Sequence, residues 1–174
     1  VSLLGDGPTN TSLIEVASNS AGFAVASSDV TIDGFRFESA DGATNTVGVL
    51  IDGTPASFSN VVIGDTAADI DTLGNFFVDL DTGLQVNYSQ SSNLTIGTGN
   101  SFLGGVDGIV INGAADATLS LSGNTINDTA FSGQSGDYVR LEDTALFAPD
   151  DPTVIDAKNA RFEGLKGIEM TAEQ

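Results

Sequence analysis

A short motif returns five times along this chain and restricts the folds that the chain can adopt. Each occurrence has a polar residue, then two apolar residues separated by one position, and then a glycine. We call it motif 1, and it occupies residues 29–34, 60–64, 93–97, 118–123 and, in a weaker form, 159–164. The first residues of successive occurrences lie 31, 33, 25 and 41 positions apart. Similarity at a spacing of tens of residues predicts a solenoid, in which each repeat buries its apolar side by stacking on its neighbours.

A second motif precedes the first and indicates that the repeats are made of strands. Motif 2 is a glycine followed by two apolar residues one position apart, at 22–25, 48–51, 83–86 and 108–111, with 138–141 in the corresponding place. Alternation over a few positions, ended by Gly, Asn or Asp, is typical of half-buried strands. Helical spacing of apolar residues is not sustained anywhere. The sequence therefore predicts an all-β parallel β-helix of about five or six coils.

The repeats also predict how the interior and the turns are filled. Five phenylalanines lie in or next to the repeated strands and are expected to form a continuous interior column: Phe35, Phe37, Phe58, Phe102 and Phe162. The polar residues that open motif 1 in the first three occurrences are Asp29, Asn60 and Asn93. Since Asn and Asp satisfy backbone groups in turns, we expect these three to form a side-chain ladder.

The charge of the chain excludes several classes of partner. Its 24 acidic and 5 basic residues give a formal net charge of −19, which repels nucleic-acid phosphate and anionic lipid. Nucleic-acid binding is therefore excluded, and without about 18 consecutive apolar residues direct membrane insertion is not expected either. Cysteine and histidine are both absent. The segment therefore has no thiolate or histidine metal ligands, no cysteine nucleophile and no histidine base.

Length and composition predict one domain over residues 1–174, since no linker-like composition divides the chain. The chain begins at Val1, and residues 1–14 already resemble a repeat, so we expect a segment of a longer protein whose neighbouring domains are partners. Residues 158–174 contain three of the five cations, Lys158, Arg161 and Lys166. This stretch is expected to cap the solenoid or to begin a linker to the next domain.

Residues 1–8, 11–14 and 30–37 together resemble the first coils of the right-handed parallel β-helix superfamily. That superfamily includes pectate lyases, pectin esterases, polygalacturonases, phage tailspikes and passenger regions of bacterial surface proteins. The resemblance covers roughly residues 1–165 and implies a right-handed helix, but it rests on packing and turn positions. Residues 156–174 are similar to segments of very large bacterial extracellular proteins, which implies an extracellular or cell-surface location.

The residues that an enzyme of this superfamily needs are mostly missing. A lyase acting on an acidic polysaccharide needs a base and cations, but Arg36, Arg140 and Arg161 are widely separated in the sequence. A glycosidase needs only two carboxylates. The one adjacent pair, Asp150 and Asp151, precedes Pro152 and indicates a turn. No catalytic residues are predicted, and a non-catalytic role is favoured over an enzyme.

The strongest ligand-site candidate is an aspartate-rich insertion after the second occurrence of motif 1. It contributes Asp65, Asp69, Asp71, Asp79 and Asp81. Calcium prefers six to eight oxygen ligands, and alternating aspartates in a glycine-containing loop can supply several of them. The spacing is neither that of an EF-hand nor that of a calcium-binding nonapeptide repeat. These residues are either ordinary loop aspartates or a calcium site, and calcium is the only cofactor predicted.

These observations lead to one functional hypothesis and two alternatives. The first is a structural stalk or passenger segment of a secreted or surface-anchored bacterial protein, related to adhesion. The alternative is a carbohydrate-active β-helix, a polysaccharide hydrolase or lyase, whose cleft on one lateral sheet is formed by loops such as 65–82 and 127–137. A polysaccharide-binding module without turnover is the third. A polysaccharide or another cell-surface ligand is the expected partner.

Overall fold

The computed structural model describes residues 1–7, 12–52, 59–64, 74–87, 94–96, 99–112, 124–126, 130–142, 155–156, 161–163 and 168–170. Within these ranges the chain forms short strands joined by turns, and no helix. Each strand pairs in parallel with the strand three places along the chain, which produces three sheets of six strands each. The all-β prediction is confirmed, and three all-parallel sheets fit a parallel β-solenoid. None of the described segments is a helix long and apolar enough to cross a membrane.

The three sheets take the strands in turn, and we name them A, B and C. Sheet A contains β1 (Ser2–Leu4), β4 (Val30–Asp33), β7 (Val61–Ile63), β10 (Leu94–Ile96), β13 (Asn124–Ile126) and β16 (Ile155–Asp156). Sheet B contains β2 (Leu13–Val16), β5 (Arg36–Ser39), β8 (Phe76–Val78), β11 (Ser101–Leu103), β14 (Ala130–Ser132) and β17 (Arg161–Glu163). Sheet C contains β3 (Ser20–Val25), β6 (Thr46–Asp52), β9 (Thr82–Asn87), β12 (Asp107–Asn112), β15 (Val139–Glu142) and β18 (Ile168–Met170).

The two sequence motifs correspond to two of the three sheets. The first three occurrences of motif 1 contain β4, β7 and β10 of sheet A, and their second apolar residues are aligned as Ile32, Ile63 and Ile96. Motif 2 supplies sheet C, where β3, β6, β9, β12 and β15 pair in the register that the motif predicts. The aligned apolar residues point inward and are buried, because each stacks on its equivalent one coil away.

The last two occurrences of motif 1 do not follow this pattern. Residues 118–123 lie outside the described residues, and the strand that pairs with β10 is β13. The assignment of the fifth occurrence to this series is wrong, because it contains β17, which belongs to sheet B. Its register aligns Phe162 with Phe131, and Phe131 in turn with Phe102. Two strands, β17 and β18, therefore fall within residues 158–174, while a capping or linking role for that stretch stays a prediction.

A phenylalanine column in sheet B fills the interior. The ring of Phe77 stacks on that of Phe37 at a centroid distance of 5.1 Å, and on that of Phe102 at 4.5 Å. The expected column is confirmed for Phe37 and Phe102, and the backbone of Phe162 is in register with this column while its place in the interior stays a prediction. Phe35 is partly buried against the core, while Phe58 lies outside the described residues.

The glycines of motif 2 leave the space that these rings occupy. A Cβ atom added to Gly48 would lie 2.6 Å from Cδ1 of Phe77 and 2.5 Å from the carbonyl oxygen of Gly83. Gly83 faces Phe102 in the same way, with 2.5 Å between the added Cβ and Cδ1. Neither glycine has a positive φ. Space, not backbone conformation, therefore requires glycine in motif 2, and the glycine column of sheet C fits the phenylalanine column of sheet B.

We predict that Gly48→Ala lowers the free energy of unfolding by about 1–3 kcal/mol, the usual cost of overpacking a core. The matched control is Gly42→Ala, because an added Cβ there meets nothing within 4 Å while φ is +70°. That change carries only a left-handed backbone penalty of about 1 kcal/mol. Urea unfolding of both variants measures the difference. If Gly48→Ala costs no more than Gly42→Ala, the proposed fit between the two columns is wrong.

Buried amides close the turn between sheets A and B. Asn75 is fully buried, and its Nδ2 donates to the carbonyl oxygen of Ile32 at 2.9 Å and to Oδ1 of Asn100 at 3.1 Å. Its Oδ1 accepts from the backbone N–H of Phe35 at 3.1 Å. Nδ2 of Asn100 donates to the carbonyl oxygen of Ile63 at 2.9 Å. The amide of Asn75 thus pairs the backbone N–H of Phe35, and it adds a second donor to the carbonyl oxygen of Ile32, which also accepts from the backbone N–H of Gly64 at 2.8 Å.

A second ladder lies at the outer turn before sheet A, where the sequence predicts one. Nδ2 of Asn60 donates to Oδ1 of Asp29 at 2.9 Å, and both residues have a positive φ, 54° and 58°. Asn and Asp tolerate this left-handed conformation better than other residues with side chains. The predicted ladder is confirmed for Asp29 and Asn60, while Asn93 lies outside the described residues.

Candidate functional site

A groove of about 420 Å³ lies on the outer face of sheet C, across strands β3, β6 and β9. The inward residues of these strands, such as Val49 and Leu84, pack in the core. The residues between them therefore face outward and line the groove. Ala21, Val47 and Leu50 provide its apolar part. We call it the sheet C groove.

One border of the groove is a ladder of amides at the turn between sheets B and C. Nδ2 of Asn45 donates to Oδ1 of Asn19 at 2.9 Å, and both residues have a φ of 55°. The strand register places Ser20 beside Thr46, directly after these two amides. Because the same turn conformation recurs one coil apart, the two amides present their polar groups in line along the groove.

The acidic group in the groove is Asp81, and it is engaged with the neighbouring coil. Its Oδ2 accepts from the backbone N–H of Thr46 at 2.9 Å and from Oγ1 of Thr46 at 3.0 Å. The backbone N–H of Asp81 donates to Oγ1 of Thr46 at 3.0 Å. These bonds fix the carboxylate in a structural role between two coils, since a carboxylate that accepts several hydrogen bonds is held in one orientation.

On the other side of the groove the amide of Gln85 is hydrogen-bonded to amides at the strand ends that lie beyond the groove lining. The register aligns Asp52, Asn87, Asn112 and Glu142 at the ends of the sheet C strands. Oδ1 of Asn87 accepts from Nε2 of Gln85 at 3.2 Å and from Nδ2 of Asn112 at 3.1 Å. Gln85 itself lines the groove. Amide side chains, which both donate and accept, therefore border the groove on both sides.

Beyond β9 the outer face of sheet C changes character. Val110 follows Gln85 in the register and is only 3% exposed, although its position is on the outer face. Asp107 is also buried, and its Oδ2 lies 3.0 Å from an Nη atom of Arg140. Its Oδ1 accepts from the backbone N–H of Asp137 at 2.9 Å. The ion pair and the buried valine therefore mark the end of the accessible groove.

The predicted calcium ligands fall only partly within the structure. Asp65, Asp69 and Asp71 lie outside the described residues. Asp79 and Asp81 lie in the turn between β8 and β9, where Asp79 has a φ of 52°. The described residues contain no group of three or more acidic side chains that could hold a metal ion. Calcium binding by the five aspartates therefore stays a prediction.

Sequence reasoning placed the ligand site in loops, whereas the groove is formed mainly by strand residues. Of the loops predicted to form a cleft, residues 65–82 contribute Asp81 and Thr82 to the groove lining. Residues 130–137 of the second loop are described, and residues 127–129 are not. The sequence did not predict Leu50 and Gln85 as groove residues. Both lie between the two apolar residues of motif 2, at a position where the residue type varies from one occurrence to the next.

No protein-family model, no curated protein and no solved structure matches this chain. The parallel β architecture is therefore established by the strand pairing alone, and the likeness to the β-helix superfamily stays a resemblance.

Proposed function

We propose that this chain is a non-catalytic structural segment, a stalk or passenger part of a secreted or surface-anchored bacterial protein with an adhesion-related role. The proposal includes a right-handed solenoid of six coils, one for each set of three strands. Right-handed crossovers between parallel strands are the strong rule in proteins. The net charge of −19 fits an extracellular rod that stays soluble by repulsion.

The observation that carries the proposal is how the polar and aromatic side chains are used. The stacked rings of Phe37, Phe77 and Phe102 and the buried amides of Asn75 and Asn100 hold one coil on the next. Repeats of this kind contact only their neighbours and can extend a rod without a separate core. These stacked rings and buried amides pack one coil on the next and so extend the solenoid, which supports the role of a stalk.

The groove chemistry supports a non-catalytic role as well. Among the described residues that line the groove, Asp81 is the one ionisable side chain. Glycoside hydrolysis needs two carboxylates on opposite sides of the bond, and a lyase needs a base beside a cation. Asp81 is hydrogen-bonded to Thr46, which leaves the lining without an acid and base pair.

A second candidate function, binding of a neutral polysaccharide without turnover, is favoured by the groove itself. Ala21, Val47 and Leu50 offer an apolar surface for the C–H face of a sugar, and the amides of Asn45 and Gln85 can exchange hydrogen bonds with hydroxyl groups. The acidic surface repels uronic-acid chains, so neutral glycans are the favoured class. Such binding is compatible with an adhesive stalk.

One experiment separates these functions. The protein is incubated with panels of neutral and uronic-acid polysaccharides, and reducing ends, unsaturated products and bound glycan are measured. We expect no product from either panel. If a neutral glycan binds, Leu50→Glu lowers its affinity at least about tenfold by placing a charge in the apolar part. Val62→Glu on the outer face of sheet A is the matched control and leaves binding unchanged. Product release that is abolished by Leu50→Glu would contradict the non-catalytic proposal.

A further inference from the structure

The outer face of sheet B has an apolar centre between charged strands. Two outward positions per strand form two columns along the solenoid axis, because residues two apart on a strand share a face. The register gives the first column as Leu13, Arg36, Phe76, Ser101, Ala130 and Arg161. It gives the second column as Glu15, Glu38, Val78, Leu103, Ser132 and Glu163. We call this surface the sheet B face.

The centre of this face is apolar in a protein with a net charge of −19. Phe76, Val78 and Leu103 are all partly exposed, whereas the residue between the first two, Phe77, is 2% exposed and belongs to the core. A contiguous apolar patch with a polar rim is typical of an interaction surface.

Charged residues at the rim have a fixed order. Nε of Arg36 lies 2.8 Å from Oε2 of Glu38, and the two side chains are 34% and 38% exposed. Strand β17 repeats the order in its sequence, with Arg161 in the first column and Glu163 in the second. Two of the five cations of the chain therefore occur on strands of this one sheet.

We propose that the sheet B face binds the same face of a second copy of this chain, with the two solenoids parallel and related by a two-fold axis along their length. This operation exchanges the two columns. Arg36 then meets Glu38 of the partner subunit, and Phe76 meets Val78 of the partner subunit. An interface of this kind is self-complementary, as two-fold symmetry requires. The proposal goes beyond the proposed function and gives a stalk a paired form.

The antiparallel arrangement is disfavoured by the same charges. If the two solenoids ran in opposite directions with their apolar centres superposed, each column would meet its own equivalent, and β8 would face β11. Position 36 would face position 130, an alanine, and its arginine would have no acidic counterpart across the interface. The contact of Arg36 with a glutamate of the second copy forms only when the two solenoids run parallel, so the parallel arrangement is selected.

The contact is small, and its strength follows from its size. Strands of three to four residues, spaced about 4.8 Å apart, cover a few hundred Å² over six strands. A standard interface buries about 800 Å² on each partner. The association is therefore weak, and it is measured by sedimentation equilibrium in a concentration series that extends to the solubility limit of the protein.

Charge exchange tests both the surface and its symmetry. Arg36→Glu alone and Glu38→Arg alone each place like charges across the two-fold axis, and we expect each to weaken self-association at least about tenfold. The double variant R36E/E38R restores it. An equimolar mixture of the two single variants also restores association, because each acidic side chain of one variant then faces a basic side chain of the other across the axis.

The control for charge alone is Asp41→Arg in an exposed turn, which changes the net charge by the same amount as Glu38→Arg. We expect it neither to weaken self-association nor to rescue Arg36→Glu in a mixture. Three results would overturn the proposal: a wild-type mass that stays at that of the monomer at every concentration, single reversals without effect, or a mixture that is not restored.

Discussion

Phe77→Ala is expected to lower the free energy of unfolding by about 3–5 kcal/mol, the range for removal of a fully buried aromatic ring. Phe77 is 2% exposed and stacks on one ring in the coil before it and one in the coil after it. Its removal opens a cavity that backbone pairing on both sides prevents from collapsing. Equilibrium unfolding in urea, followed by circular dichroism, measures the loss. A reduced m value would show that the coils on either side unfold separately.

Phe76→Ala is the matched control for this change. It deletes the same ring from the adjacent residue, which lies on the partly exposed sheet B face. Because less surface is removed from water there, the expected cost is about 1 kcal/mol. Similar losses for the two variants would contradict the inward and outward assignment of strand β8.

The architecture was predictable where the strands are long enough to show alternation. Motif 2 supplies strands of up to seven residues, such as β6, in which glycine and two buried apolar positions recur. Sheet B was not recognised as a separate sheet, because a strand such as β8 has three residues and a single inward side chain. Among the described residues its signal is the buried phenylalanine of β5, β8 and β11, at positions 37, 77 and 102, and the spacing of these rings varies with the insertions between coils.

The same limit of sequence-based prediction applies to the two side-chain ladders next to sheet A, which are formed by Asp29 with Asn60 and by Asn75 with Asn100. Asp29 and Asn60 both open motif 1, so their pairing was predicted from sequence. Asn75 and Asn100 were missed, although Gly-Asn-x-Phe recurs at 74–77 and 99–102, because the equivalent position one coil earlier is Phe35 and interrupts the series. An interior amide can be identified only when the register shows which backbone carbonyl needs a donor.

The candidate site was less predictable than the fold. Aspartates were predicted as calcium ligands because carboxylates coordinate cations, yet the carboxylate of Asp81 accepts a hydrogen bond from Thr46 in the adjacent coil. The groove depends instead on the neutral residues Leu50 and Gln85, whose positions become adjacent only through pairing of β6 with β9. Neutral outward residues have no sequence signature that distinguishes them from an ordinary solvated face.

Asn75→Asp is expected to destabilise the protein by about 3–5 kcal/mol at neutral pH, the cost of an uncompensated buried charge. The change is nearly isosteric, but it replaces the donor that serves the carbonyl oxygen of Ile32 and Oδ1 of Asn100 with an acceptor. Burial raises the pKa of the introduced carboxyl in the folded state above its ordinary value of about 4. The neutral form carries a proton and can again donate, so the destabilisation is greatest above the folded-state pKa.

Acidification therefore tests the role of this donor. As pH falls through the raised folded-state pKa toward the unfolded value, the folded protein binds the proton first, and the destabilisation by Asn75→Asp decreases. Asn75→Ala is the control, since it leaves the backbone N–H of Phe35 unpaired at every pH, with a loss of about 1–3 kcal/mol, while the carbonyl oxygen of Ile32 keeps the N–H of Gly64. Unfolding of both variants in urea at several pH values gives the difference between them. A difference that is independent of pH would show that the amide of Asn75 does not act as a buried donor to the neighbouring coils.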